Sequence, residues 1–208
     1  MMKAQVAAPV TVNCFLLLAA VVVKPQKVLL AGNLLNFIVT KFFFMTEVRP
    51  MLPEHWEDVK KIYEEGIVTG NATFQTSAPS WEEWNNSHLP SCRLIAVDAN
   101  KVIGWAALTP VSGRCVYAGV AEVSVYVAEE ARGKGIGKKL LRTLIKESEE
   151  NNLWTLQAGI FRENISSIKI HEACGFRLIG RRERIGKING KWRDTILLER
   201  RSNVIGVE

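Results

Sequence analysis

The sequence predicts a mixed α/β (α+β) layer domain over residues 45–208, and two observations predict it. Stretches with helical spacing of apolar residues alternate with short β-branched stretches bounded by turn residues, in the order helix, helix, strands, helix, strand, helix, hairpin. A turn of three alternating glycines, Arg132-Gly133-Lys134-Gly135-Ile136-Gly137, joins the strongest strand signal to the longest helical stripe. The bulk composition suits one domain with a real core plus an extension: 208 residues, 48% hydrophobic and 23% charged. No internal repeat is present.

Pro53 to Gly66 reads as the first helix. Proline sits in its first turn, Trp56, Val59, Ile62 and Tyr63 share one face, and Gly66 is expected to end it. A polar loop carrying Thr73-Phe74-Gln75-Thr76 follows, and Ser80-Trp81-Glu82-Glu83 is a capping box that opens a second, short helix. Arg93 to Val97 and Val102 to Leu108 form a hairpin around Asp98-Ala99-Asn100-Lys101. Ala121 to Val127 is strongly β-branched, and the glycine turn after it leads into a helix striped by Ile136, Leu140, Leu141, Leu144 and Ile145. Glu147, Glu149 and Glu150 lie on that helix's polar side. Leu153 to Ile160 is a further strand. Asn164 caps a helix that stops at Cys174-Gly175, and two last strands, Phe176 to Ile185 and Trp192 to Arg200, meet at Asn189-Gly190.

Residues 1–44 differ in kind. Cys14 to Val23 is an unbroken apolar run, and Val28 to Phe44 is apolar again around Lys41; neither reaches the roughly 20 residues of a membrane-spanning helix. Three readings stay open: a non-native or misassigned start with the working protein beginning near Met45, a packed or membrane-associated extension, and a cleaved leader. Membrane contact is expected only if the extension is real. Four scattered cysteines without a Cys-x-x-Cys pair or a histidine cluster argue against a metal site or disulfide framework, so no metal is expected and a reducing, cytoplasmic setting fits. The net charge of +6 suits an anionic ligand. Arg177 to Arg193 holds seven Lys/Arg against Glu183 alone, yet without aromatic interleaving it reads as a solvated hairpin, and no nucleic acid is expected.

The glycine turn carries the first chemistry. Glycines let the backbone turn its amides inward, and the helix behind them offers unpaired N–H groups and a positive dipole end to a pyrophosphate. Arg132, Lys134 and Lys138 add charge. The Arg-x-x-Gly-x-Gly spacing is neither that of a P-loop nor the Gly-x-Gly-x-x-Gly of a dinucleotide fold. A tight strand-to-helix connection is the bland alternative for the turn by itself.

Taken with its surroundings, the chain resembles the GNAT acetyltransferases, from Met45 to about Arg200. It is similar to their phosphinothricin and methionine sulfone acetyltransferase branch through Glu122-Val123-Ser124-Val125-Tyr126-Val127, Arg132 to Gly137, Ile170-His171-Glu172-Ala173-Cys174-Gly175-Phe176 and Asn189-Gly190-Lys191-Trp192-Arg193-Asp194. The resemblance implies the GNAT fold, a mixed and mostly antiparallel sheet of about six to seven strands with about four helices. It implies acetyl-CoA as co-substrate, held by Arg132, Gly133, Lys134, Gly135, Ile136, Gly137 and Lys138, with Val125, Tyr126 and Val127 facing the acetyl carbonyl and Asn164 near the pantetheine arm. It also implies a homodimer.

Glu122 is the candidate general base. An ammonium must lose a proton before its nitrogen attacks a thioester, and a carboxylate accepts that proton directly or through water. A solvated strand Glu is the alternative, and the family's catalytic Glu at this place decides against it. His171 stands where many relatives carry a Tyr that protonates the leaving thiolate; it is either that acid, a substrate-orienting group or a packed histidine. Phe74, Thr76 and Tyr117 sit where the resembled enzymes line the amino-acid pocket, so the resemblance implies them as acceptor-binding residues, with ordinary core packing the alternative for Phe74. Arg93 or Arg114 could meet a substrate carboxylate, though a solvated arginine is the simpler reading. The expected activity is direct acetyl transfer to the primary amine of a small amino acid or analogue of the phosphinothricin, methionine sulfone or sulfoximine type. Acetylation of a peptide or protein N-terminus and a non-catalytic acyl-CoA-binding module are the alternatives.

Overall fold

The computed structural model describes residues 46–207, so the expectations for residues 1–44 lie outside the described residues. In chain order the elements are β1 (Glu47–Pro50), α1 (Trp56–Val68), α2 (Trp81–Ser87), β2 (Leu94–Asp98), β3 (Lys101–Pro110), β4 (Val120–Val127), α3 (Ile136–Glu150), β5 (Thr155–Phe161), α4 (Ile165–Glu172), β6 (Arg177–Ile188) and β7 (Lys191–Arg201). The seven strands form one sheet in the order β1-β2-β3-β4-β5-β7-β6. Every neighbouring pair is antiparallel except β4 and β5, which run parallel. The mixed sheet and four helices are those the sequence predicts; the short edge strand β1 carried no signal of its own.

The two-residue period of the strands divides the core between the two faces. Trp105 and Tyr126 are cross-strand partners on one face. They stack at 4.6 Å and meet Tyr63 of α1 edge-on at 5.6 and 4.8 Å, while Trp84 of α2 reaches Trp105 at 5.8 Å. Val125 and Val127 point to the opposite face, where α3 crosses them at Gly137. The α3 stripe of Ile136, Leu140, Leu141, Leu144 and Ile145 is buried there as its spacing predicts. Truncating a fully buried tryptophan such as Trp105 would cost about 3–5 kcal/mol.

One expectation is corrected. Gly66 does not end α1, which continues to Val68; it lies buried where the helix crosses the Tyr126 ring. A Cβ there would sit 2.7 Å from Tyr126 Cδ1, so glycine is required by close packing and not by a change of direction. Glu149, on the polar side of α3 as expected, is tied down there. Its carboxylate is 17% exposed, pairs with Arg200 at 3.0 Å and accepts from the Ser202 hydroxyl at 2.9 Å, because α3 packs its last turn onto β7.

Smaller local readings hold. Ser80 and Glu83 make the reciprocal capping box, with Ser80 N–H donating to Glu83 Oε2 at 2.8 Å and Glu83 N–H donating to Ser80 Oγ at 3.2 Å. Asn189 and Gly190 both take positive φ, 48° and 78°, closing the β6–β7 hairpin. Three of that hairpin's basic residues pair with acids: Arg177 with Glu199 at 2.7 Å, Arg181 with Asp194 at 2.5 Å and Arg193 with Glu163 at 3.1 Å. Among the described residues no helix is long and apolar enough to cross a membrane.

Candidate active site

The parallel pairing of β4 with β5 covers only Val120↔Thr155, Ala121↔Leu156 and Glu122↔Gln157. Beyond Glu122 the strands splay, and a cavity of about 240 Å³ opens between them. Its walls include Glu122, Val125 and Tyr126 of β4, Gly159 and Phe161 of β5, and His171 of α4. Glu122 occupies the last position held on both sides, by Thr109 of β3 and Gln157 of β5. Its side chain is exposed and faces Gly159, where an added Cβ would lie 3.3 Å from Glu122 Oε1. The missing side chain keeps the carboxylate approachable from the cavity.

Hydrogen-bond direction sorts the three residues expected at the acetyl carbonyl. Ala128 N–H donates to Ile103 C=O at 3.0 Å, and N–H groups alternate along an antiparallel strand. Tyr126 therefore directs its amide into the β3 ladder, whereas Val125 and Val127 direct theirs toward the splay. Tyr126 instead contributes a ring to the cavity wall. Burial pushes its phenol well above the ordinary tyrosine range; the adjacent Tyr63 adds to the rise and the Thr73 hydroxyl opposes it.

At the far end of β4 the chain turns through Arg132 and the glycines into α3. Gly133 and Gly135 take positive φ, 76° and 81°, and an added Cβ at either would meet nothing within 4 Å. They shape a turn open to a ligand, and Gly135 is the N-cap of α3 without any side-chain cap. The first intrahelical bond there is Lys139 N–H to Gly135 C=O, which leaves the Ile136, Gly137 and Lys138 amides free of intrahelical partners. Gly137 serves packing: a Cβ would stand 3.1 Å from Ile170 Cδ1 of α4. Ile136 buries its side chain and offers only its amide. Arg132 and Lys134 are exposed, and Arg132 Nε donates to Val127 C=O at 3.4 Å. An uncapped helix start with cationic side chains suits a pyrophosphate.

His171 is 3% exposed. Its Nδ1 lies 2.8 Å from the Ser167 carbonyl, which can only accept, so Nδ1 carries the proton. Nε2 then presents a lone pair in the cavity wall and has no partner among the described residues. Burial holds the imidazole below its ordinary pKa, with the Ser167 bond opposing. Asn164 caps α4 by accepting from Ser167 N–H at 3.1 Å, as expected, and its Nδ2 also donates to Asn71 C=O at 3.2 Å.

The acceptor residues are only partly brought together. Phe74 lines the cavity, edge-on to Phe161 at 4.6 Å. Thr76 lies outside it, and Thr73 of the same loop takes the lining position. Tyr117 lines a different depression of about 440 Å³ with Gln157 and Glu199. Arg93 is engaged away from the cavity: its guanidinium donates to Asn85 of α2 and to the His88 and Leu89 carbonyls that follow it. Arg114 lies over the Tyr117 ring at 5.7 Å.

Sequence reasoning missed Tyr63, Gly159, Phe161 and Thr195. Thr195 of β7 is buried in the cavity wall with a hydroxyl that has no partner among the described residues. In sequence it is an ordinary strand threonine; the nearest available signal was its place directly after the Asn189 to Asp194 motif. Among the described residues no cysteine lines the cavity, and no group of His, Cys, Asp and Glu is arranged to hold a metal.

Comparison with known proteins agrees with this architecture. Residues 54–176 match the family model described as the acetyltransferase (GNAT) family. The chain is 32% identical over 164 residues to the phosphinothricin N-acetyltransferase of Alcaligenes faecalis, covering 75% of this chain and 82% of that protein. It is 34% identical over 110 residues to the L-methionine sulfoximine/L-methionine sulfone acetyltransferase of Pseudomonas paraeruginosa, covering 51% and 62%. A phosphinothricin acetyltransferase from Sinorhizobium meliloti, solved in complex with acetyl-CoA, superposes with a TM-score of 0.68 at 31% identity over 75% of this chain and 88% of its own. The splayed strands, the open glycine turn at a helix start and these matches together make the chain a member of the GNAT acetyltransferase family.

Proposed function

We propose that the protein transfers acetyl from acetyl-CoA directly to the primary amine of a small amino acid or analogue of the phosphinothricin, methionine sulfone or sulfoximine type. The observation that carries this reading is a single strand, β4, with Glu122 where the splay begins, inward amides along it and an open anion site at its end. Acetyl-CoA supplies an activated acetyl thioester. Its pyrophosphate fits the free amides at the start of α3 with Arg132, Lys134 and Lys138, and its pantetheine arm fits beside Asn164.

Glu122 takes one proton from the acceptor ammonium, which frees the nitrogen lone pair for the carbonyl carbon. The Val125 and Val127 amides face the oxygen on which negative charge develops. As the new C–N bond forms and the C–S bond breaks, the nitrogen sheds its second proton and the sulfur requires one. His171 in its resting tautomer is an acceptor at Nε2, so it serves the sulfur only after taking up that second proton. It is a relay and not a stored acid. The buried Thr195 hydroxyl and the Phe74–Phe161 pair form the acceptor wall. Among the described residues no cysteine lines the cavity, so direct transfer is proposed in place of an acyl-enzyme.

The test is thiol release from acetyl-CoA over free amino acids, methionine sulfone, methionine sulfoximine, phosphinothricin and short peptides. Turnover is expected with small amino-acid amines. Turnover with peptides alone would replace this reading by N-terminal acetylation, and acetyl-CoA binding without turnover on any amine would leave a binding module.

A further inference from the structure

Arg193 belongs to the Asn189 to Asp194 motif, yet it is not in the cavity wall. It is 18% exposed and makes four contacts that converge. Nη1 donates to Gly70 C=O at 2.9 Å, and Nη2 donates to Asn71 Oδ1 at 2.8 Å and to Glu163 Oε2 at 3.1 Å. The guanidinium carbon lies 4.2 Å from the centroid of the Phe161 ring. Asn71 continues the chain of contacts, since its carbonyl accepts from Asn164 Nδ2 at 3.2 Å. One bridge, Arg193–Asn71–Asn164, thus joins β7, the connection after α1 and the N-cap of α4.

What the bridge holds is the acceptor side of the site. Ala72, Thr73 and Phe74 follow Asn71 directly and line the cavity. The segment from Asn71 to Ser80 contains no helix or strand, so few backbone bonds of its own fix it. Phe74 rests on the Phe161 ring that Arg193 covers, which ties the loop a second time to the same guanidinium. A planar fork satisfies the carbonyl, the amide oxygen and the ring face together, which a lysine ammonium does not do.

From this geometry we infer that Arg193 is a positioning residue: through Asn71 it sets Thr73 and Phe74 against the acceptor and ties that wall to α4. The inference rests on the amine-acetylation reading for its kinetic consequence and on geometry alone for the tether. Asn71→Ala removes the amide oxygen but leaves the carbonyl that Asn164 uses, and Asn71→Asp keeps an acceptor for the guanidinium. Acceptor KM is expected to rise about tenfold in Asn71→Ala and in Arg193→Ala, while acetyl-CoA KM stays within about twofold. Asn71→Asp should return the acceptor KM to within about threefold of wild type.

Amide hydrogen exchange without substrate is read in parallel over residues 69–76, where Asn71→Ala should exchange faster than wild type and Asn71→Asp should not. Unchanged exchange in that loop, or equal rises in both KM values, overturns the inference. Should Arg193→Ala fail to fold, the two Asn71 variants decide it. Wild-type protein silent on every acceptor would overturn the amine-acetylation reading, and the loop exchange would still decide the tether.

Discussion

The two halves of β4 do opposite work. Ala121 and Glu122 pair on both sides, with β3 and β5, whereas Val123 to Val127 pair with β3 alone. The doubly held half fixes a side chain, and the singly held half frees backbone amides. Glu122 stands at the border, paired on both sides and yet exposed at the cavity. A fully paired strand would have no amides to offer, and a fully free one could not aim a carboxylate. The lesson is that the site is made by ending a ladder early, and the inserted cavity is its consequence.

The comparison is broken most severely at its border. Glu122→Gln keeps shape and strand pairing but cannot accept a proton, so kcat should fall by about 10²- to 10⁴-fold with acetyl-CoA binding retained. Steady-state thiol release alongside calorimetric titration of acetyl-CoA checks both parts; unchanged turnover removes the assigned base.

The free half needs its own support, which comes from Tyr126 wedged between Trp105 and α1. Gly66→Ala places a Cβ 2.7 Å from that ring, and the stacking on Trp105 leaves the ring little room to yield. Overpacking of about 1–3 kcal/mol should exceed the helix-propensity gain of about 1 kcal/mol, so Tm should fall. A raised Tm would mean that the Tyr126 wedge is loose.

Opposite the free half, Thr195→Val deletes the unpartnered hydroxyl at nearly constant volume. If the acceptor uses it, one hydrogen bond of about 0.5–1.5 kcal/mol is lost, and acceptor KM rises about 2- to 10-fold. Thr195→Ser should restore the wild-type value, and an unaffected KM in the valine variant would confine Thr195 to packing.

The gentlest effect is on pH dependence. Burial, the largest cause in each case, holds His171 and His88 below their ordinary value of 6.5. As pH falls below that value the unfolded chain takes up protons that the folded chain resists, so stability is complete above about pH 6.5 and declines below it. Tm should be flat from pH 7 to 8 and drop on acidification, less steeply in His171→Gln. An equal slope in that variant would leave His171 without a share. Because the proposed His171 relay needs a neutral imidazole, the same acid side should bring lower turnover, with no alkaline fall from this residue.

Much of the fold was legible because its signals are local. The Ser80–Glu83 capping box, the α3 stripe and the Asn189-Gly190 turn each depend on residues a few positions apart, and each stands where the spacing predicts. Gly66 misled, and the partner of Glu149 stayed hidden, for the same reason in reverse. A glycine in a helix and a glutamate on its polar side acquire their roles from Tyr126 and Arg200, which are distant in sequence. The site divides likewise. Glu122 and the glycine turn lie ten residues apart on one strand and its exit, so two neighbouring motifs cover them. Thr195, Phe161 and Gly159 come from β5 and β7 and have no shared pattern. Tyr117 and Thr76 were near the right elements but outside the cavity that Phe74 lines.

By itself the sequence determined the class of domain and the helix start open to an anion, since periodicity, capping and glycine spacing are properties of neighbouring residues; the acetyltransferase family entered through the resemblance its motifs carry. Only the tertiary structure decided where β4 parts from β5, which amides face the gap, that His171 holds its proton on Nδ1 and that Arg193 reaches Asn71. Those depend on register and on side chains meeting across more than a hundred residues of chain in the last case, a distance at which no local pattern carries information.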